Sequence, residues 1–280
     1  MQNKQNKIYT ITPAWQAPSH IKAFTTLAIG GYSINQYACK PYYNTGLNLA
    51  GHVQDNIEDV YNNRKLVKQY IKCPTVWLEQ VHGIYCADLD NLDYFIDNKY
   101  ELGINNTCVK ADASFTTKDN LACSVLTADC LPLLVTDKKG SAVLAIHAGW
   151  KGLVNGIIEN SINYFIQQTK SNASDILVWL GPAIGLQAFE VGNEVLDKFM
   201  QHAAENEKNL TYNSFESINI NSNKKCANLY KLAKIRLNRL NITPNNISGG
   251  EFCTYFDHRF YSYRRNNITG RIASMIAKIV

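Results

Sequence analysis

Apolar positions along the chain fall into two rhythms. Short runs bounded by polar or turn residues recur at 7–12, 75–78, 122–126, 131–135, 142–146, 176–180 and 260–263, and predict β-strands. After Gly152 the spacing changes to threes and fours. Val154, Ile157, Ile158, Ile162, Phe165 and Ile166 then share one helical face. Val195, Leu196, Phe199 and Met200 make a second helical stretch, and Leu229, Leu232, Ile235, Leu237 and Leu240 a third. Glycine pairs at 30–31 and 249–250 predict turns. Strands interleave with helices, and no internal repeat, low-complexity linker or abrupt break divides the chain. The pattern predicts one domain over residues 1–280, of α+β (mixed α/β) class.

Composition narrows the class. Hydrophobic residues make up 46% and charged residues 18% of the 280, which excludes a disordered or fibrous chain. A chain of this length buries a core without disulfide or metal staples. The most apolar stretch, 141–150, is far short of the ~20 residues that cross a bilayer. The polar start, Met1 to Lys7, has no apolar segment behind it, so the expected compartment is the cytoplasm and no membrane partner is expected. Eight cysteines, at 39, 73, 86, 108, 123, 130, 226 and 253, form no Cys-x-x-Cys pair and are expected to be reduced.

The net charge of +5 is uneven. From residue 202 onward there are twelve Lys and Arg against five Asp and Glu. A basic C-terminal third suits a small anionic ligand such as phosphate. No long basic run or nucleic-acid motif is present, so nucleic acid is not an expected partner.

Candidate chemistry concentrates in the middle of the chain. His82 follows a strand and precedes a Gly turn, Cys130 lies between two apolar runs, and His147 ends the strand that leads into the first clear helix. Two imidazoles and one thiolate suit zinc with a fourth position left for water or substrate, and the same set can hold copper. Asp129, Asp112 and Glu79 are carboxylates near enough in sequence to orient an imidazole or move a proton, Glu79 reading better as a surface group. A second reading needs no metal: Cys130 as nucleophile with His147 as base would serve amide or ester hydrolysis. In the tail, Arg264, Arg265 and Arg271 are interleaved with aromatics and can grip phosphate.

Six blocks in order then carry a resemblance: Trp77-Leu-Glu-Gln-Val-His-Gly83, Ala111-Asp-Ala113, Leu126-Thr-Ala-Asp-Cys-Leu-Pro132, His147-Ala-Gly-Trp150, Leu180-Gly-Pro-Ala-Ile-Gly185 with Phe189-Glu-Val-Gly192, and Ser262-Tyr-Arg-Arg265 with Thr269-Gly-Arg271. Together they resemble the YfiH/YlmD family, also described as laccase-domain or multicopper polyphenol oxidoreductase proteins. The resemblance implies a single mixed domain and a metal held by His82, Cys130 and His147. It also implies phosphorolysis of purine nucleosides, with adenosine deamination and methylthioadenosine cleavage as further activities. Phenol oxidation and editing of peptidoglycan precursors are other assignments within the family.

The chain departs from the family pattern twice. Where the family has Thr-Arg-x-Gly-Gly, this chain has Phe24-Thr-Thr-Leu-Ala-Ile-Gly-Gly31, without the Arg; and Lys151 replaces an Arg after Gly-Trp. Asn48-Leu-Ala-Gly-His52 and Asn63-Arg64 keep to the pattern. Six histidines with no His-x-His pair cannot furnish the ligands of a multicopper cluster. The expectation is a zinc (or copper) enzyme, monomeric or a small homo-oligomer, acting on purine nucleosides and phosphate. Cys130, His147 and Asp129 are the expected catalytic groups, and Lys151, Arg264, Arg265, Arg271 and Asn48 the candidate phosphate or ribose contacts. The competing expectations are a cell-wall amide hydrolase, a copper-dependent polyphenol oxidase and a regulator that binds nucleoside or metal without turnover.

Overall fold

Alternation along the apolar strands sorts their side chains to two faces, and both faces are covered. The computed structural model describes residues 7–41, 43–91, 109–218 and 223–280. Its first half contains β1 (Ile8–Ile11), β2 (Ile21–Ser33), α1 (Ile57–Ile71), β3 (Leu78–Glu79), β4 (Cys86–Asp88), β5 (Val109–Lys110), β6 (Ala113–Thr116), β7 (Ala122–Thr127), β8 (Leu131–Asp137) and β9 (Val143–Ala148). The second half contains α2 (Trp150–Asn155), α3 (Ile157–Thr169), β10 (Ile176–Leu180), β11 (Glu190–Gly192), α4 (Asn193–His202), α5 (Lys208–Tyr212), β12 (Phe215–Ser217), β13 (Lys224–Ala227), α6 (Leu229–Arg239), β14 (Ile247–Gly249) and β15 (Ile272–Lys278).

Two large sheets stack. A four-stranded antiparallel sheet runs β1-β2-β15-β7, and a six-stranded mixed sheet runs β14-β10-β8-β9-β6-β4. On β9, Val143 and Ala145 face the four-stranded sheet, where they meet Cys123 and Val125 of β7 and Ile276 of β15. The alternate residues Leu144, Ile146 and Ala148 face the other way, against Leu153, Ile157, Ile158, Ile162 and Phe165 of α2 and α3. Ala273, Met275 and Ala277 of β15 point out from the far side of the four-stranded sheet onto Val67 and Ile71 of α1. The order of layers is therefore helix, sheet, sheet, helices, in agreement with the expected mixed α and β class. No described helix is long and apolar enough to cross a membrane.

Several elements differ from the sequence expectation, each for a local reason. Residues 260–263 form turns rather than a strand, although Phe260, Tyr261 and Ser262 are buried. Of 75–78, only Leu78 belongs to a strand. The helical run after Gly152 breaks at Gly156, whose φ of 96° caps α2 and opens α3. The glycine pair at 30–31 lies inside the long β2 strand rather than in a turn between elements, though both residues have positive φ. Helix α1 has no clean apolar stripe because Asn63 and Arg64 sit on its buried face. Asn63 donates to Ser33 Oγ and to the Asn48 carbonyl, and Arg64 donates to the Leu49 carbonyl while lying 4.3 Å from the Trp77 ring. Cys108 lies outside the described residues; the other seven cysteines are free thiols.

The break at Gly156 needs only backbone freedom, since a methyl placed there would meet nothing closer than 3.7 Å. Gly156→Ala is therefore expected to destabilise the protein by about 1–2 kcal/mol, the left-handed penalty of a non-glycine residue. A lowered denaturation midpoint with an unchanged m-value would register it.

Candidate metal centre and active-site cavity

Period two places the candidate ligands. His147 shares the parity of Val143 and Ala145, so it continues the inter-sheet face of β9 at the end of the strand. Pro132 pairs with His147, and Ala113 with Ile146, so the starts of β6 and β8 meet the end of β9 among the central strands of the six-stranded sheet. Cys130 immediately precedes β8, in the short crossing 128–130 that carries the chain from β7 in one sheet to β8 in the other. His82 arrives on the loop after β3, in a left-handed conformation with φ of 58°. The three side chains, widely separated in sequence, come together: one ligand atom from each lies within 4.8 Å of the others.

A buried carboxylate arranges this trio. Asp112 Oδ1 accepts from His147 Nδ1 at 2.8 Å and from the His82 amide at 3.0 Å. Its Oδ2 accepts from the amides of Gly83 at 2.7 Å and Val81 at 3.2 Å. With Nδ1 of His147 engaged, Nε2 is the nitrogen free to take a metal, the carboxylate–histidine arrangement of known metal sites. Of the two aspartates considered for orienting an imidazole, Asp112 does so. Gly149 completes the packing, because a Cβ there would stand 2.4 Å from His82 Nδ1 and 3.2 Å from Cys130 Sγ.

The donor set fits a soft or borderline dication: two imidazoles and a thiol, one imidazole held from behind, with the open side facing a cavity of about 520 Å³. Burial disfavours charge on His147, but its interactions with Cys130 and the Asp112 carboxylate outweigh this and raise its pKa to about 9. Burial lowers His82, with His147 acting in the same direction. Burial alone would raise the Asp112 pKa, yet hydrogen bonds from His147 and the loop amides hold it below the usual carboxylate range.

The cavity is lined by His52, Gln80, Thr127, Asp129, Arg264 and Arg271 and by the aromatic side chains Trp150, Phe189 and Tyr263. Arg271 uses Nη1 on the carbonyls of Thr269 and Gly270 and lies 6.0 Å from the Tyr263 ring. Arg264 donates to the Glu190 carbonyl and stacks 5.7 Å from Phe189. Asp129 is held at φ of 90°, its carboxylate accepting from Thr254 Oγ1 at 2.6 Å and the Arg264 amide at 2.7 Å. It thereby docks the tail loop against the residue next to Cys130.

The remaining candidates lie elsewhere. Arg265 donates to the carbonyls of Thr254, Tyr255 and Phe260, which explains how residues 260–262 are buried without a strand ladder. Asn48 is wholly buried, accepting from the amides of Ala50 and Arg271 and donating to Asp55, so it positions Arg271 instead of reaching the cavity. Lys151 is exposed on α2, outside the lining, and Glu79 is an exposed group paired with Lys110. His52, Gln80 and Thr127 were not expected to line the site. Gln80 bonds both the amide and the carbonyl of Leu126. Only the period-two parity of Thr127 with Cys123 and Val125 hinted at its direction.

Asp112→Asn is expected to weaken metal binding 10–100-fold, as measured by competition with a chromophoric chelator. A pH dependence follows as well. In metal-free protein the His147 pKa is raised from 6.5 to about 9. Its stabilising contribution is therefore complete below the unfolded value and is lost as pH rises through the folded one. Chelated protein should lose thermal stability between pH 6.5 and 9, while the increase in Tm on adding zinc grows over the same window, because binding displaces the His147 proton. Thermal scans with and without chelator across that range check both signs.

Comparison with known proteins shows the family. A family model described as multi-copper polyphenol oxidoreductase laccase matches residues 22–278. The chain is 37% identical over 267 residues to a purine nucleoside phosphorylase of Pseudomonas aeruginosa, covering 95% of this chain and 97% of that one. It is 38% identical over 269 residues to the purine nucleoside phosphorylase YfiH of Escherichia coli, with 95% and 97% covered. Among solved structures, a Neisseria meningitidis protein superposes with a TM-score of 0.80 at 36% identity, covering 97% of this chain and 99% of that one. Bacillus licheniformis YfiH superposes with a TM-score of 0.81 at 27% identity, covering 99% and 98%. The chain belongs to the YfiH family of laccase-domain proteins.

Proposed function

We propose that this protein is a metal-dependent purine nucleoside phosphorylase, releasing free base and ribose 1-phosphate. The observation that carries the reading is the joint lining of one cavity by the His/Cys/His group, by Arg264 and Arg271, and by Trp150, Phe189 and Tyr263. The same activity is in the names of the Pseudomonas and Escherichia relatives. A purine has a flat π-face for the aromatic rings, and phosphate has the charge and geometry for the two guanidiniums. In phosphorolysis a phosphate oxygen forms the bond to ribose C1′, the C1′–N9 bond breaks, and its electron pair leaves with the base, which then takes up a proton.

Within that reaction, Arg264 and Arg271 hold the phosphate and offset its charge, while the aromatics hold the base. His52 beside Arg271 is kept neutral, its pKa lowered first by burial and then by Arg271 and Arg64. Asp129 and Asn48 set the backbone positions of Arg264 and Arg271. His82, Cys130 and His147 would hold zinc, which when bound would supply a Lewis acid to the cavity. The Arg missing from 24–31 leaves the phosphate to these two tail arginines. Adenosine deamination and methylthioadenosine cleavage are extensions of this reading at the same cavity.

One observation favours a second reading. Cys130 and His147 are close enough to raise the histidine pKa, the pairing that a thiol hydrolase of cell-wall amides requires. The two readings separate on phosphate and chelator. With zinc-loaded protein, chromatography should show hypoxanthine from inosine and adenine from adenosine only when phosphate is present. Cys130→Ala should lose the metal and at least about a hundred-fold in turnover. Turnover retained by metal-free Cys130→Ala would refute the phosphorylase mechanism, and inactivation by a thiol alkylator with indifference to chelators would favour the hydrolase.

A further inference from the structure

The β7 strand ends in a hydroxyl that the fold buries and leaves unused. Thr127 continues the parity of Cys123 and Val125, so its side chain points between the two sheets, toward the face from which His147 approaches. Thr127 is 1% exposed and lines the cavity. Of the residues whose buried side-chain oxygens have no hydrogen-bond partner among the described residues, Thr127 is the one that also lines this cavity. An unpaired buried hydroxyl opposes folding, and valine would fill the same space without that penalty. A bound ligand that supplies the missing partner removes it.

The surroundings say which part of a ligand that is. Thr127 pairs with Ile272 across the β7–β15 ladder, which puts it beside Arg271 on one hand and three residues from Cys130 on the other. Phosphate attack at C1′ requires phosphate and base on opposite sides of the sugar. Thr127 lines the same cavity as the two arginines and the three aromatic rings, and a nucleoside seated there brings in its ribose hydroxyls, the polar groups that lie between the base and the attacking phosphate. We propose that Thr127 Oγ1 hydrogen-bonds a ribose hydroxyl, 2′ or 3′, and so makes the site select ribonucleosides over deoxynucleosides. The assignment rests on the phosphorylase reading.

The test compares wild type, Thr127→Val and Thr127→Ser on inosine, 2′-deoxyinosine and 3′-deoxyinosine, with metal content and Tm measured alongside. The expected result is a loss of about ten-fold or more in kcat/KM for Thr127→Val on inosine, as for a hydroxyl left unpaired on the substrate. The serine variant should recover most of that loss. The valine penalty should vanish with whichever deoxynucleoside lacks the matching hydroxyl. Metal content should be unchanged and Tm equal or higher. Wild-type kinetics retained by Thr127→Val, or a penalty equal on all three nucleosides, would overturn the contact, and a lower Tm would mean that the hydroxyl serves the fold.

A binding readout keeps the two proposals apart. If wild type releases no base, yet inosine raises its Tm more than that of Thr127→Val, phosphorolysis fails and the contact stands. If inosine raises the Tm of neither protein, or of both equally, the contact fails.

Discussion

The carboxylate of Asp112 is the constraint on which the rest of the site depends. It is wholly buried and takes four hydrogen bonds, from one imidazole and three consecutive amides. A charge in that position survives only with every lone pair engaged, because isolated burial of a carboxylate is prohibitive. Satisfying it forces the 81–83 loop into place, including the left-handed His82, and fixes which nitrogen of His147 faces the cavity. One residue thus sets the positions of two ligands that belong to different parts of the chain, and Gly149 leaves the room in which they meet.

The stacked sheets provide the frame. Their shared interior is tightly apolar, and the cavity opens where the chain crosses from β7 to β8 at its edge, so Cys130 and Asp129 belong to the connection itself. The last third of the chain then closes the site. Its tail loop docks on Asp129 through Thr254 and Arg264, is braced internally by Arg265, and is held at Arg271 by Asn48. The basic excess of this third accordingly has several uses. Arg264 and Arg271 reach the cavity, whereas Arg236 and Arg239 share Glu159, and Arg239 also pairs with Glu207, in an ion cluster within the helical layer.

Strands and helices whose burial is purely apolar were legible from the chain. The runs that became β7 to β10 and the stripes of α3, α4 and α6 match their periodicities because each buries one face against hydrocarbon. The pattern failed where burial is polar or irregular. Helix α1 hides Asn63 and Arg64, β2 carries two glycines near its end, and the tail loop buries Phe260 and Tyr261 with an arginine, not a strand, satisfying nearby carbonyls. A hydrophobicity count cannot see a buried group that is stabilised by hydrogen bonds to residues far away in sequence.

The same division holds for the site. The sequence by itself supplied donor types suited to a metal, His82, Cys130 and His147 at strand ends, and a basic tail suited to an anion. Tertiary structure alone decided which carboxylate orients an imidazole, which of the tail arginines face the cavity, and that His52, Gln80 and Thr127 line it. These outcomes depend on register between strands and on the direction each side chain takes from its own strand face. Both are set by pairing partners far along the chain, so spacing cannot encode them, whereas residue type and local periodicity are already present in the chain before it folds.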